Sequence, residues 1–222
     1  MFIHQHPYPP ILFPGATKLI VGTLPPPRFT QGLLKPGDVD FCYGSRDGLL
    51  WPILDRIFDL GLVYEDSERA VRQRLDFLKA RKIGICDIVE RARRARIDAS
   101  DLGMRELELR DLLGVLRANP RIKTLLFTGG NSQNGPEYLF RRLLREEGIC
   151  LELVTEEVPR IHRFTLPDPS GSLRGLQTVS LTAPSGSANR AIGSMAAYKA
   201  RRAKDTNYTV MDFRVEQYRR YF

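Results

Sequence analysis

Small residues carry the first chemical signal in this chain. Pro184, Ser185, Gly186, Ser187, Ala188 and Asn189 stand in a row before Arg190, between an apolar strand-like run and a helical one. Backbone bearing so little side chain can come close to a ligand. The plain alternative is a strand-to-helix turn with a serine cap. The formal net charge of +8 suits a polyanion as that ligand. Cys42, Cys86 and Cys150 lie far apart, without C-x-x-C spacing. That spacing argues against structural zinc or an iron–sulfur cluster, so neither metal nor cofactor is expected, and it fits a reducing cytoplasm. His4 and His6 fall in a Pro-rich stretch and read as surface residues.

The elements that must position such a loop follow from hydrophobic period. "TKLIVGT" reads as a buried strand stopped by "PPP", and "IGICDI", "IKTLLFTGG", "ICLELVT" and "LQTVSLTA" read as further strands. "GLLWPILDRIFDLGL" puts Leu50, Ile53, Leu54, Ile57 and Phe58 on one helical face. "SERAVRQRLDFLKARK", "LELRDLLGVLRANP" and "PEYLFRRLLREEG" are predicted helices, another starts near Ser187, and "MDFRVEQYRRYF" closes the chain as a short basic, aromatic helix or turn. The stretch 157–175 is predicted to be one long loop. Strands alternating with helices imply a parallel sheet covered on both faces. Ligands of such sheets bind beyond the carboxyl ends of the strands. "GTLPPPRF", "CDIV", "FTGGNSQ" and "APSGSAN" all follow strand ends, so they are expected to share one crevice. One domain over residues 1–222 is expected, with a Pro-rich arm at 1–16 and a basic aromatic extension at 205–222. "MFIHQHPYPP" lacks a basic segment followed by an apolar run, and no stretch approaches membrane-spanning length, so neither a signal peptide nor a membrane partner is expected.

These segments, in this order, resemble the uracil-DNA glycosylase superfamily, and within it the hypoxanthine-DNA and mismatch-specific branches. Gly22, Thr23, Leu24 and Pro25 match a strand ending in G-T-x-P. "FCYGSRDGLLWPIL" is similar to a Tyr-rich turn that leads into an F-W helix start, "ICDIVERARRARIDASDL" to a strand "L-W-D-V-L" followed by Arg, and "FTGG" to "F-N-G". Pro184, Ser185, Ser187, Ala188 and Asn189 are similar to the closing P-S-x-S-x-A-N, with one residue fewer between Ser187 and Ala188. The resemblance covers roughly residues 18–199. It implies a three-layer α/β/α sandwich around a central, mainly parallel four-stranded sheet. It also implies a monomeric, cofactor-independent enzyme that flips a damaged base out of duplex or single-stranded DNA and removes it with water.

Under that resemblance the residues take roles. The small loops bring backbone N–H groups against phosphates, with Ser132, Ser185 and Ser187 as DNA contacts. Arg190 reaches a phosphate or fills the gap left by the flipped base. Phe41 or Tyr43 stacks on that base, each with core packing as its alternative. Thr23 and Asn189 belong to the substrate site. Asp87 accepts from a base N–H or caps a neighbouring loop. His162 and the run Arg91, Arg93, Arg94 and Arg96 either touch DNA or are solvated. The branch's water-activating Asn falls on Gly48 when counted back from Trp51, and on Asp47 with a one-residue insertion. Asp47 is then either the catalytic carboxylate or the cap of the helix that follows. Ala183 stands where the uracil-specific branch has His, which argues against efficient uracil excision. No Lys occupies a motif position, so a monofunctional mechanism is expected. The rival readings are a non-catalytic nucleic-acid binder and a hydrolase of free nucleosides or nucleotides.

Overall fold

Alternating burial along short strands decides which residues face which layer. In the computed structural model, which describes residues 1–97, 100–168 and 170–222, the strands are β1 (Phe2–Gln5), β2 (Lys18–Val21), β3 (Ile83–Ile85), β4 (Val89–Arg94), β5 (Met104–Leu109), β6 (Thr124–Phe127), β7 (Glu152–Thr155), β8 (Arg160–Pro167) and β9 (Leu173–Ser180). The helices are α1 (Pro27–Thr30), α2 (Leu50–Phe58), α3 (Glu68–Ala80), α4 (Leu112–Ala118), α5 (Pro136–Glu146), α6 (Asn189–Ser194), α7 (Ala196–Lys204) and α8 (Val210–Arg219). Leu19 and Val21 of β2 join one buried cluster with α4 and α5. Ile20 between them joins a second, with α2, α3 and α8. Period-2 strands thus feed two cores, one on each face of the sheet.

The main sheet has six strands in the order β3-β2-β6-β9-β8-β7. The first four run parallel, while β8 is antiparallel to β9 and β7 to β8. The fold is a mixed α/β fold with a mostly parallel sheet between helices. It differs from the expected sheet of four strands, because residues 157–175 do not form one loop. Instead β8 pairs with β9 from Arg160↔Ser180 to Pro167↔Leu173. His162, Phe164 and Leu166 of β8 point inward, so the buried His disguised an alternation that two apolar residues carry. Asp98, Ala99 and Pro169, which fall within the expected motif after β3 and within that loop, lie outside the described residues.

A second sheet, β1-β4-β5, takes up the chain's beginning and the arginine run. His4 and His6 are therefore buried, not surface residues. They sit two apart in or just after β1, on its inward side, and each finds a polar partner. His4 Nδ1 accepts from Arg94 Nε at 2.8 Å. Burial, then Arg94 and His6, push the His4 imidazole down to about 4, so it packs neutral. Arg94 is buried, while Arg91, Arg93 and Arg96 are exposed. Ile11 also bridges Ile85, so residues 1–16 are built into the structure and are not a free arm. The closing segment is likewise integral. Val215 and Tyr218 of α8 lie in the core, and the Phe222 ring stacks on Tyr218 at 5.6 Å. The predicted helix 107–120 begins only at Leu112, because residues through Leu109 pair with β4.

Phe127, Phe140 and Phe164 interlock below β6, with centroids 5.4 and 5.3 Å apart. Phe140→Ala removes the central ring from a fully buried position. It is expected to cost about 3–5 kcal/mol, read as a lowered urea midpoint with an unchanged far-UV spectrum before the transition.

Candidate functional site

The carboxyl ends of β2, β3, β6 and β9 all open into one cleft of about 720 Å³. Thr23, Asp87, Thr128 and Ala183, one beyond each strand, line it together. This convergence follows from the parallel register, since Ile20 pairs with both Ile85 and Leu126, and Leu126 with Val179.

Asp87 forms the floor. Its Oδ1 accepts from the Gly22 N–H at 2.7 Å and from the Tyr43 hydroxyl at 2.6 Å. Its Oδ2 lies 2.9 Å from His6 Nε2. The Tyr8 N–H donates to His6 Nδ1 at 3.1 Å, which leaves the proton on Nε2 and makes Nε2 the donor to Asp87. Three of roughly four acceptor positions on this carboxylate are thereby taken by the protein itself. Burial, then Asp87, hold the Tyr43 hydroxyl far above the ordinary phenol range, so it stays a donor. Gly22 is required here: a Cβ would stand 2.3 Å from Tyr43 Oη and 2.9 Å from Asp87 Oδ1.

One wall is the turn from Asp38 to Gly48. Arg28 grips buried Asp38 through Nε at 2.7 Å and Nη2 at 2.8 Å, and the Lys35 and Arg46 amides complete its shell. Burial alone would raise Asp38, but these donors outweigh it and hold the carboxyl at about 2. Gly44 has no room for a side chain, since a Cβ would lie 2.0 Å from Val39 O. Tyr43 adopts φ 59°, and Trp51 Nε1 donates to Cys42 O at 2.8 Å. Asp47 lines the cleft with its side chain 73% exposed and 3.4 Å from Arg28 Nη2. It does not cap α2, whose first turn follows Leu49 without a side-chain cap.

The opposite wall is the small-residue loop, and α8 holds it. The Thr182 carbonyl accepts from Tyr218 Oη, Ala183 from Arg214 Nε, Pro184 from the Leu49 N–H, and Ser185 from Arg214 Nη2. Its carbonyls are thus turned to the protein. The amides of Gly186 and Ser187, opening the 3-10 turn Gly186–Ala188, have no intrahelical acceptor. The Ser185 and Ser187 hydroxyls pair at 2.9 Å.

Of the residues singled out in the sequence, Thr23, Tyr43, Asp47, Asp87, Ser132, Ser185 and Ser187 line the cleft. Phe41 does not. It is buried against Trp51, so the stacking alternative passes to Tyr43. Asn189 also stands apart, its Oδ1 accepting from Arg214 Nη1 at 2.9 Å, and Arg190 is exposed beyond the loop. Sequence reasoning missed His6, Arg214 and Asp101. Asp101 lines the cleft and accepts from Thr23 Oγ1 at 2.7 Å. Burial raises its carboxyl, and neighbouring Asp87 adds to this against the Thr23 hydroxyl and Arg94. Nothing local marked Asp101, whereas the basic residues of α8 were visible but read as an extension. Three aspartates line the cleft, and among the described residues no Lys or Arg does. Among the described residues, no group of His, Cys, Asp or Glu is placed to hold a metal ion. No helix of the described residues is long and apolar enough to cross a membrane. No family model matches the chain, and neither a curated protein nor a solved structure matches it.

Two outcomes test this geometry. Asp101 keeps its proton in the folded protein above the ordinary 3.8, so the unfolded chain releases that proton first and stability falls as pH rises through the folded value. The urea midpoint of Asp101→Asn should therefore gain on the wild type as pH rises from about 4 to 7, and a constant gap would mean that Asp101 is not held protonated. Arg214→Met leaves buried carbonyls unpaired and is expected to cost about 1–3 kcal/mol, with faster amide exchange confined to residues near 182–189.

Proposed function

We propose that this protein is a monofunctional DNA glycosylase that draws a damaged or modified base into the cleft and removes it with water. The observation that carries this reading is the meeting of the four motif-bearing strand ends in one cleft of about 720 Å³. That volume lies within the range of small-ligand sites. The arrangement supports particular roles. The Tyr43 ring offers a flat partner to an extruded base. Asp47 stands at the rim, free of any capping duty, as the carboxylate that orients water and offsets positive charge developing on the sugar. Loop 184–188 presents amides and hydroxyls to flanking phosphate. Asp87, with most of its acceptor capacity engaged, holds the floor together rather than reading the base. The arrangement of β3, β2, β6 and β9 as four adjacent parallel strands agrees with a uracil-DNA glycosylase-like core carrying an added hairpin. Asp47 faces the cleft, which favours a catalytic protein over a non-catalytic binder.

A second reading, hydrolysis of free nucleosides or nucleotides, draws support from the three aspartates and the absence of Lys and Arg in the lining among the described residues. A panel of single-lesion oligonucleotides, scored for alkali-labile sites, beside the matching free nucleosides separates the two. Release of base from DNA alone is expected. Asp47→Asn should slow that release by about 10²–10⁴-fold with DNA affinity unchanged or higher, because one negative charge near phosphate is removed. Arg190→Ala should weaken DNA binding and flatten its salt dependence. Full activity of Asp47→Asn would remove Asp47 from the mechanism.

A further inference from the structure

Beside the cleft, under the turn that follows β6, lies a polar cluster that the site described above does not use. Glu137, in the first turn of α5, is fully buried. Its Oε1 accepts from Arg141 Nε and Nη2, each at 3.1 Å, and its Oε2 accepts from Ser180 Oγ at 2.7 Å. Arg160 Nε stands 3.5 Å from the same Oε2 without a hydrogen bond to it. Arg141 Nη2 also donates to His162 Nε2 at 2.6 Å, so the imidazole is an acceptor there. Burial, with Arg141 and Arg160 opposing Glu137, lowers the His162 imidazole and keeps it neutral.

The charges do not cancel. Two guanidinium groups face one carboxylate and a neutral ring, which leaves one positive charge in excess. Among the described residues, the Arg160 guanidinium donates no hydrogen bond, although its side chain is only 28% exposed. Its Nε is buried without an acceptor, which costs stability, while the terminal nitrogens reach the surface. Its position indicates a ligand. Arg160 opens β8 opposite Ser180, at the same sheet edge as the cleft. Its Nη2 lies 3.7 Å from where a Gly130 Cβ would stand. Two and three residues further on, Ser132 and Gln133 line the cleft. The Gly129–Gly130 turn keeps side chains out of the space in front of Arg160, and a guanidinium beside bare backbone is suited to a phosphate's oxygens.

We propose that Arg160, with the Gly129–Gly130 turn, forms a subsite for a single phosphate group, the phosphodiester next to the nucleotide whose base enters the cleft, while Arg141 holds Glu137 and His162 behind it. The identity of that phosphate as part of DNA rests on the function proposed above; the subsite itself rests on Arg160. Arg160→Gln is the decisive variant, because the guanidinium makes no hydrogen bond that the fold would lose, and its melting temperature should stay near that of the wild type. Binding of a labelled single-stranded oligonucleotide, followed by anisotropy across a KCl series, should weaken about tenfold. The slope of log affinity against log salt should fall by about 0.7, the share of one phosphate contact. Arg160→Lys should restore most of that slope, since the charge returns without the fork. In parallel, inorganic phosphate should shift the Gly130 amide resonance in the wild type and not in Arg160→Gln. A wild type that binds the oligonucleotide while Arg160→Gln matches it in affinity and slope overturns the subsite and leaves the DNA reading standing. A wild type that ignores the oligonucleotide but shows the Gly130 response to phosphate keeps the subsite and removes DNA as its source. Neither response in the wild type overturns both.

Discussion

The Asp87 carboxylate is the constraint on which the cleft depends. It is buried, and a buried carboxylate without donors is far too costly to keep. Three separate parts of the chain supply those donors: Gly22 at the end of β2, Tyr43 in the following turn, and His6 from the beginning of the chain. Satisfying one side chain therefore fixes the spacing of two adjacent strand ends, the pose of an aromatic ring and the docking of β1. The same demand explains Gly22, since any side chain there would occupy the space where the Tyr43 hydroxyl meets Asp87. A residue that sequence similarity suggests for contact with a ligand is first of all what holds the cleft together.

Arginine does corresponding work on both walls. Arg28 fastens the Asp38 turn that carries Tyr43 and Asp47, and Arg214 fastens the loop from Ala183 to Asn189. Arg94 backs His4, and Arg74 is buried over Trp51, with its guanidinium 5.3 Å from that ring. A few of the basic residues are thus structural and hold the fold behind the cleft. The lining itself carries carboxylates, Asp87 at the floor and Asp47 at the rim, beside the amides and hydroxyls of the loop 184–188.

How far the sequence could be read depends on the range of the interactions involved. Helices α2, α3 and α5 and strands β2, β6 and β9 were legible because hydrophobic period is a local property, carried by neighbours such as Leu50, Ile53 and Leu54 or Leu125 and Phe127. The crevice was legible for a related reason. Parallel strands must open at one edge, so segments following their ends have to meet. Strand β8 was not, because its inward positions include His162, and a polar residue there breaks the apolar alternation until Arg141 is seen to donate to it.

The sequence by itself determined the strand–helix alternation, the small-residue loops that let backbone approach a ligand, and the side of the sheet on which Thr23, Asp87 and Ser185 would gather. Only the tertiary structure decided what each polar side chain does there. His6 and Asp87 are 81 residues apart, and Arg214 and Ser185 are 29 apart, so no local pattern encodes either pairing. Burial turned the two early histidines from surface residues into core partners, sent Phe41 into the core while leaving Tyr43 in the cleft, and raised the Asp101 carboxyl beside the site above its ordinary value. The physical reason is that the free energy of a polar group depends on its donors, acceptors and exposure to water, and distant segments supply these only once the chain has folded.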